Sequence, residues 1–394
     1  MNSILLATSL LLSLIGQAAA SDGSRLKRLA ASEVPDLIDD ADTAGLARAV
    51  ESSLEYYAPM ASTASLAFGS GSVTVGKMTE SLRHFPKILG RAGSSRDINE
   101  SVRNDFDIYR AEVGGKAGAV TFSSYFAPSI SAKLSPDSEY RHPIYSRPPD
   151  LADLYWEDFD PARKGERMAA RFDGRKLVPY FSRGDIDSKK VLAGRNLEIA
   201  WAKSPLDVLT LQIQGSGWVN VPGSTESYHI RYAGDNGLKY ASIGLSLIES
   251  GAIPKSEFNK DRMWAYLNGL DDEKRQAVLN RNPRYIFFEL TSPTTSVRGS
   301  LMVSLTDGRS IATDPKIYPP GALAFIKTQK PAFDGGLKPL GAEPMSRFVL
   351  NQDEGGAIKS WNRVDFYSGH GVLAEKTAER LWYPGDLYFF IKKP

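Results

Sequence analysis

From Arg347 to Gly371 the chain reads R-F-V-L-N-Q-D-E-G-G-A-I-K-S-W-N-R-V-D-F-Y-S-G-H-G. This run of β-formers and glycines carries Asp353 at a Gly-Gly turn and Asp365 inside a strand-like stretch. Asp is depleted from strands because its short carboxylate competes for backbone hydrogen bonds and resists burial. A strand that holds one breaks a local rule, and such breaks concentrate at functional sites. Alternate residues of a strand share a face, so Val364 and Phe366 are expected in a core, with Arg363, Asp365 and Tyr367 facing the other way. Lining a cleft, Asp365 is a proton donor and acceptor; on a solvated face, Arg363 and Asp365 are only a weak surface pair.

From Gly118 onward, short strands broken by Gly and Pro predict a mainly β chain of the barrel or sandwich kind. Helices are expected at 240–249, stopped by Gly251, and at 271–279, where acidic residues precede basic ones. Before Gly118, Leu46, Val50 and Leu54 repeat at helical spacing, and 78–89 and 98–109 have similar periodicity. The Gly/Ser-punctuated stretch 64–76 reads as a turn or short strand.

Composition matters mainly for what it excludes. A formal net charge of +2 on 394 residues gives no global field for gathering nucleic acid. With no cysteine there is no disulfide, thiolate nucleophile, cysteine metal site or cysteine-linked lipid. His84, His142, His229 and His370 stand in unrelated contexts without H-E-x-x-H, and neither G-x-S-x-G nor a phosphate-binding loop occurs. No cofactor, metal, nucleotide or nucleic-acid partner is expected. Residues 1–20 form an apolar stretch ending in Ala18-Ala19-Ala20, which reads as a signal peptide cleaved near Ala20, although no Lys or Arg precedes it.

Four motifs occur in order: S-I-A-T-D-P around Asp314, then P-P-G, Q-D-E-G-G-A-I-K and R-V-D-F-Y-S-G-H-G. Together they resemble the three-aspartate (3D) domain that closes the membrane-bound lytic murein transglycosylase A (MltA) family. Upstream, S-S-Y-F-A-P-S-I from Ser123 is similar to that family's Gly-Tyr-Tyr-x-Pro strand. P-I-Y-S-R-P-P-D-L from Pro143, S-P-L-D-V-L-T-L-Q-I-Q-G-S-G from Ser204, Y-A-G-D-N-G-L-K-Y-A-S-I-G from Tyr232 and N-P-R-Y-I-F-F from Asn282 are similar to its middle signatures.

The resemblance implies a double-psi β-barrel catalytic domain built from 118–130 plus 290–394. It further implies a second β-barrel-like domain inserted at 131–289, an N-terminal helical region at 21–117, and a groove for a glycan strand. It implies cleavage of peptidoglycan at the MurNAc–GlcNAc bond to give 1,6-anhydro ends, with Asp365 as the catalytic acid/base. Asp353 and Asp314 match supporting aspartates, for which a purely structural role is equally open. An acid working near neutral pH needs a pKa above the usual ~3.9, so Arg363 is expected to turn away from Asp365 or to bind substrate. Candidate substrate contacts are Tyr125, Gln214, Ser216, Gly355, Gly356 and Tyr367, with Trp218 and Trp361 as looser suggestions; Glu354 is assigned no catalysis. Family members are often lipoproteins anchored through a cysteine, so this chain is expected to be a soluble periplasmic or secreted protein, with glycan strands and other cell-wall enzymes as partners. Two rival readings are a glycan-binding protein without catalysis and a water-using glycoside hydrolase.

Overall fold

The structure, a computed structural model, describes residues 23–91, 94–163, 166–224, 227–291, 296–356 and 358–394. The apolar segment read as a signal peptide lies outside the described residues. The chain is mainly β and divides into two compact units, 23–126 with 296–394 and 127–291.

In the first unit six strands close on themselves. Their order is Val120–Ala127, Arg363–His370, Ser310–Ala312, Pro339–Asp353, Leu323–Phe333 and Tyr383–Lys392, which pairs back with Val120–Ala127. The short strand Ser310–Ala312 runs parallel to Pro339–Asp353 and antiparallel to Arg363–His370. Phe122, Ile311, Phe325, Phe348, Val364 and Phe389, all on these strands, belong to one apolar cluster. Val364 and Phe366 are 0% and 4% exposed, as strand alternation requires.

The N-terminal helices Thr43–Tyr57 and Val75–Arg91 lay their apolar stripes on this barrel, with Leu46, Val50, Met78, Leu82 and Phe85 joining the same cluster. Arg309, 1% exposed, fixes the chain ahead of the first helix. Its guanidinium donates to Asp39 Oδ2 at 2.7 Å, to the Phe348 carbonyl at 2.7 Å and to the Asp42 carbonyl at 2.5 Å. The helix expected at 98–109 ends at Asp105, and Phe106–Glu112 is a strand that pairs with Tyr383–Lys392. Phe106 and Ile108 are buried two residues apart, so a sheet edge seeking a partner overrides the helical period.

In the second unit six strands follow the order Ile286–Thr291, Ser227–Asp235, Ser216–Asn220, Ser129–Lys133, Glu198–Ala202 and His142–Tyr145. A parallel bridge between Ser146 and Phe288 joins the two ends of this sheet around Ile130, Ile144, Val219 and Ile230. The helices expected at 240–249 and 271–279 are Ile243–Glu249 and Asp272–Leu279. Among the described residues beyond Gly118, three α-helices were not expected: Pro205–Gln214, Lys260–Asn268 and, in the first unit, Gly371–Arg380. For Pro205–Gln214 the signals are local. Ser204 accepts from Leu206 N as N-cap, Pro205 opens the first turn, and Gly215 closes the helix with φ 79°, a left-handed conformation that favours glycine.

Candidate active site

The barrel register brings two of the three aspartates together. Ala312 is paired with Asp353 on one neighbouring strand and with Asp365 on the other. Paired residues project to the same face of a sheet, so both carboxylates flank a residue with no side chain beyond Cβ. Asp314, two residues on and 6% exposed, does something different. Its Oδ1 accepts from Lys316 N at 3.0 Å and its carbonyl accepts from Ile317 N and Tyr318 N, which makes it the pivot of the turn leaving the strand.

Asp365 Oδ1 accepts a hydrogen bond from Ser123 Oγ at 2.8 Å. Ser123 in turn accepts from Arg363 Nη2 at 3.0 Å. The Arg363 guanidinium lies over the Trp382 ring at 4.5 Å, so it meets Asp365 through the serine and not as a direct ion pair. Burial pushes the Asp365 carboxyl from its ordinary 3.8 up to about 6. The Ser123 hydrogen bond and the Arg363 charge oppose that rise, and the Asp353 charge adds to it.

This shift has a consequence for stability. Between pH 4 and 6 the folded protein holds a proton at Asp365 that the unfolded chain has released, so stability falls as pH rises through that window. A rise of this size is worth about 3 kcal/mol. In melting experiments the Asp365→Asn variant should gain on wild type by roughly that amount between pH 4 and pH 7. Equal pH dependence of the two proteins would mean that Asp365 titrates normally.

Asp353 is tied on both oxygens. Oδ1 accepts from Ser300 N at 2.7 Å and Glu354 N at 2.9 Å, while Oδ2 accepts from the Tyr125 hydroxyl at 2.7 Å. Burial raises its pKa against these three donors. Tyr125 is held in place by Tyr367, whose ring lies 5.1 Å away at 46°. Tyr367 itself, the sugar contact expected on the Asp365 face, is 1% exposed and packs against the Tyr125 ring.

Gly355 and Gly356 follow Asp353, but neither takes the positive φ that would demand glycine. A side chain at Gly355 would meet Ile358 at 2.7 Å, whereas Gly356 faces open space. Glu354 is exposed and pairs with Lys359 at 3.4 Å. Trp361 packs edge-on against Tyr318 at 5.7 Å, a structural position. Gln214 and Ser216 belong to the second unit, on either side of the left-handed Gly215, and Trp218 packs there against His229. Ser123 and Ala312 are the site residues that sequence reasoning passed over. Both lie inside quoted motifs, yet only strand pairing shows that they flank the carboxylates.

A model of the MltA specific insert domain matches residues 121–289, and one of the 3D domain matches residues 309–390. The chain belongs to the MltA family and carries its 3D domain. All three aspartates of this MltA-family chain fall in the 3D match, while Tyr125, Gln214 and Ser216 fall in the insert match. Among curated relatives it is 28% identical over 277 residues to membrane-bound lytic murein transglycosylase A of Vibrio cholerae, a match covering 68% of this chain and 65% of that protein. It is 27% identical over 295 residues to the Escherichia coli protein of the same name, covering 75% and 70%. The match thus spans just under two thirds of the Vibrio relative's length.

The fold is similar to that of a membrane-bound lytic murein transglycosylase from Agrobacterium tumefaciens, with a TM-score of 0.74, 23% identity, and coverage of 93% of this chain and 98% of that one. It is also similar to E. coli MltA with bound chitohexaose, with a TM-score of 0.67, 22% identity, and coverage of 94% and 95%. No helix among the described residues is long and apolar enough to cross a membrane.

Proposed function

We propose that this MltA-family protein is a peptidoglycan lytic transglycosylase that uses Asp365 as its single acid/base. The observation that carries the reading is the division of labour between the two paired carboxylates. Asp365 is half-buried and its carboxyl is pushed up to about 6 by desolvation, while Asp353 has both oxygens occupied by three donors. A water-using hydrolase divides its work between two carboxyl groups. Of the candidates for a second one, Asp353 is committed to the loop and Glu354 is exposed on Lys359.

One carboxyl suffices when the nucleophile belongs to the substrate. The Asp365 proton goes to the glycosidic oxygen as the bond to the anomeric carbon breaks. The 6-hydroxyl oxygen of the same N-acetylmuramoyl ring bonds to that carbon, and its proton returns to Asp365. No water is consumed, and the intramolecular attack has its proximity built in. The names of the curated relatives and the chitohexaose in the E. coli structure support this substrate class.

The same reading takes the closed six-strand sheet as a double-psi barrel formed by 118–130 and 290–394, with 131–289 inserted and 21–117 preceding it. It takes Tyr125, Gln214, Ser216, Gly355 and Gly356 as glycan contacts, and a periplasmic or secreted location without a cysteine anchor. Mass spectrometry of soluble products from peptidoglycan sacculi tests it. Anhydromuropeptides are expected; products one water heavier would make the protein a hydrolase, and sacculi bound but uncut would make it a binding module.

A further inference from the structure

The helix Thr43–Tyr57 lies outside both matched domains, yet it is fastened to the strand that ends on Asp353. Gln352, fully buried and next to Asp353, donates through Nε2 to the Ala49 carbonyl at 2.6 Å and to Ser53 Oγ at 3.0 Å, and its Oε1 accepts from Ser310 Oγ at 2.7 Å. At the end of the helix the Tyr57 hydroxyl donates to the Pro320 carbonyl. These ties leave the adjacent Tyr56, its ring 5.2 Å from Tyr57, on the wall of a pocket of about 220 Å³ beside Asp353.

The lining of that pocket has a specific chemistry. Leu301, Pro315 and Pro320 supply an apolar wall, Glu354 supplies an acceptor, and Tyr56 supplies a hydroxyl with no hydrogen-bond partner among the described residues. Ser300, Thr313, Asn351 and Asp353 also line it but are engaged within the protein: Thr313 Oγ1 donates to Asn351 Oδ1, Asn351 Nδ2 donates to the Pro319 carbonyl, and Asp353 accepts from Ser300 N, Glu354 N and the Tyr125 hydroxyl. An apolar wall, one donor and one acceptor match a methyl group, a carbonyl and an N–H, the three parts of an acetamido group. The volume exceeds that of several waters, enough for a small neutral substituent entering from the strand end.

We propose that this pocket is a subsite for an N-acetyl group of the glycan, in which the Tyr56 hydroxyl donates to the acetamido carbonyl. The N-terminal helix thereby sets specificity for an active site otherwise built from the 3D domain. The inference rests on the glycan-cleaving reading above.

Binding is measured by calorimetry with the full chain in an Asp365→Asn background, using chitohexaose and its fully de-N-acetylated counterpart. Adding Tyr56→Phe, which keeps the ring and removes one hydrogen bond, should weaken chitohexaose about five- to tenfold and leave the de-N-acetylated oligomer within about twofold. Leu301→Trp, which fills the pocket from its wall, should produce the same selective loss. Unchanged chitohexaose affinity in both variants, or equal losses for both oligomers, would overturn the subsite while leaving the glycan reading intact. A parent that binds neither oligomer would overturn both.

Discussion

Asp365→Asn should lower the release of soluble products from sacculi by about 10³-fold or more. A positioned acid or base commonly contributes 10²- to 10⁴-fold, and here one group serves both proton transfers. Asn is nearly isosteric and its amide oxygen still accepts from Ser123 Oγ, so binding of glycan strands should survive the substitution. Wild-type turnover should fall as pH rises through about 6, because the reaction begins from the protonated acid. Product release within tenfold of wild type would remove Asp365 from the mechanism.

Asp353 should separate structure from charge. Asp353→Ala strands the backbone N–H groups of Ser300 and Glu354 and the Tyr125 hydroxyl, at a cost of about 2–4 kcal/mol in unfolding experiments. Asp353→Asn keeps an acceptor for the two N–H groups and removes the negative charge beside Asp365. That charge raises the Asp365 pKa, so the Asn variant should stay folded while the alkaline limb of its activity profile moves to lower pH. An unshifted limb with full activity would confine Asp353 to holding the loop, the role Asp314 already plays in its own turn.

Much of the barrel is legible because strands and helices announce themselves locally. The alternation that buries Val364 and Phe366 leaves Asp365 on the opposite face, and Leu46 and Val50 predict the stripe that packs on the barrel. Where readings failed, competing signals were present. Phe106–Glu112 follows a helix without a stop residue, so its period of two was absorbed into the helical count. Ser204, Pro205 and Gly215 bracket a helix whose apolar run, V-L-T-L-Q-I, also suits a strand.

What the residues determine by themselves is the kind of chemistry. The missing cysteine excludes thiol chemistry, and the aspartates set among β-formers stand out as candidates for acid/base work through their match to the 3D-domain motifs. Which aspartate titrates is a tertiary matter. Asp353 and Asp365 become neighbours because a three-residue strand slots between theirs, a pairing between segments dozens of residues apart that no local pattern encodes. Burial, which lifts Asp365 to about 6, and the three donors that bind Asp353 exist only once the barrel has closed and brought Ser123, Tyr125 and Ser300 to the two carboxyls.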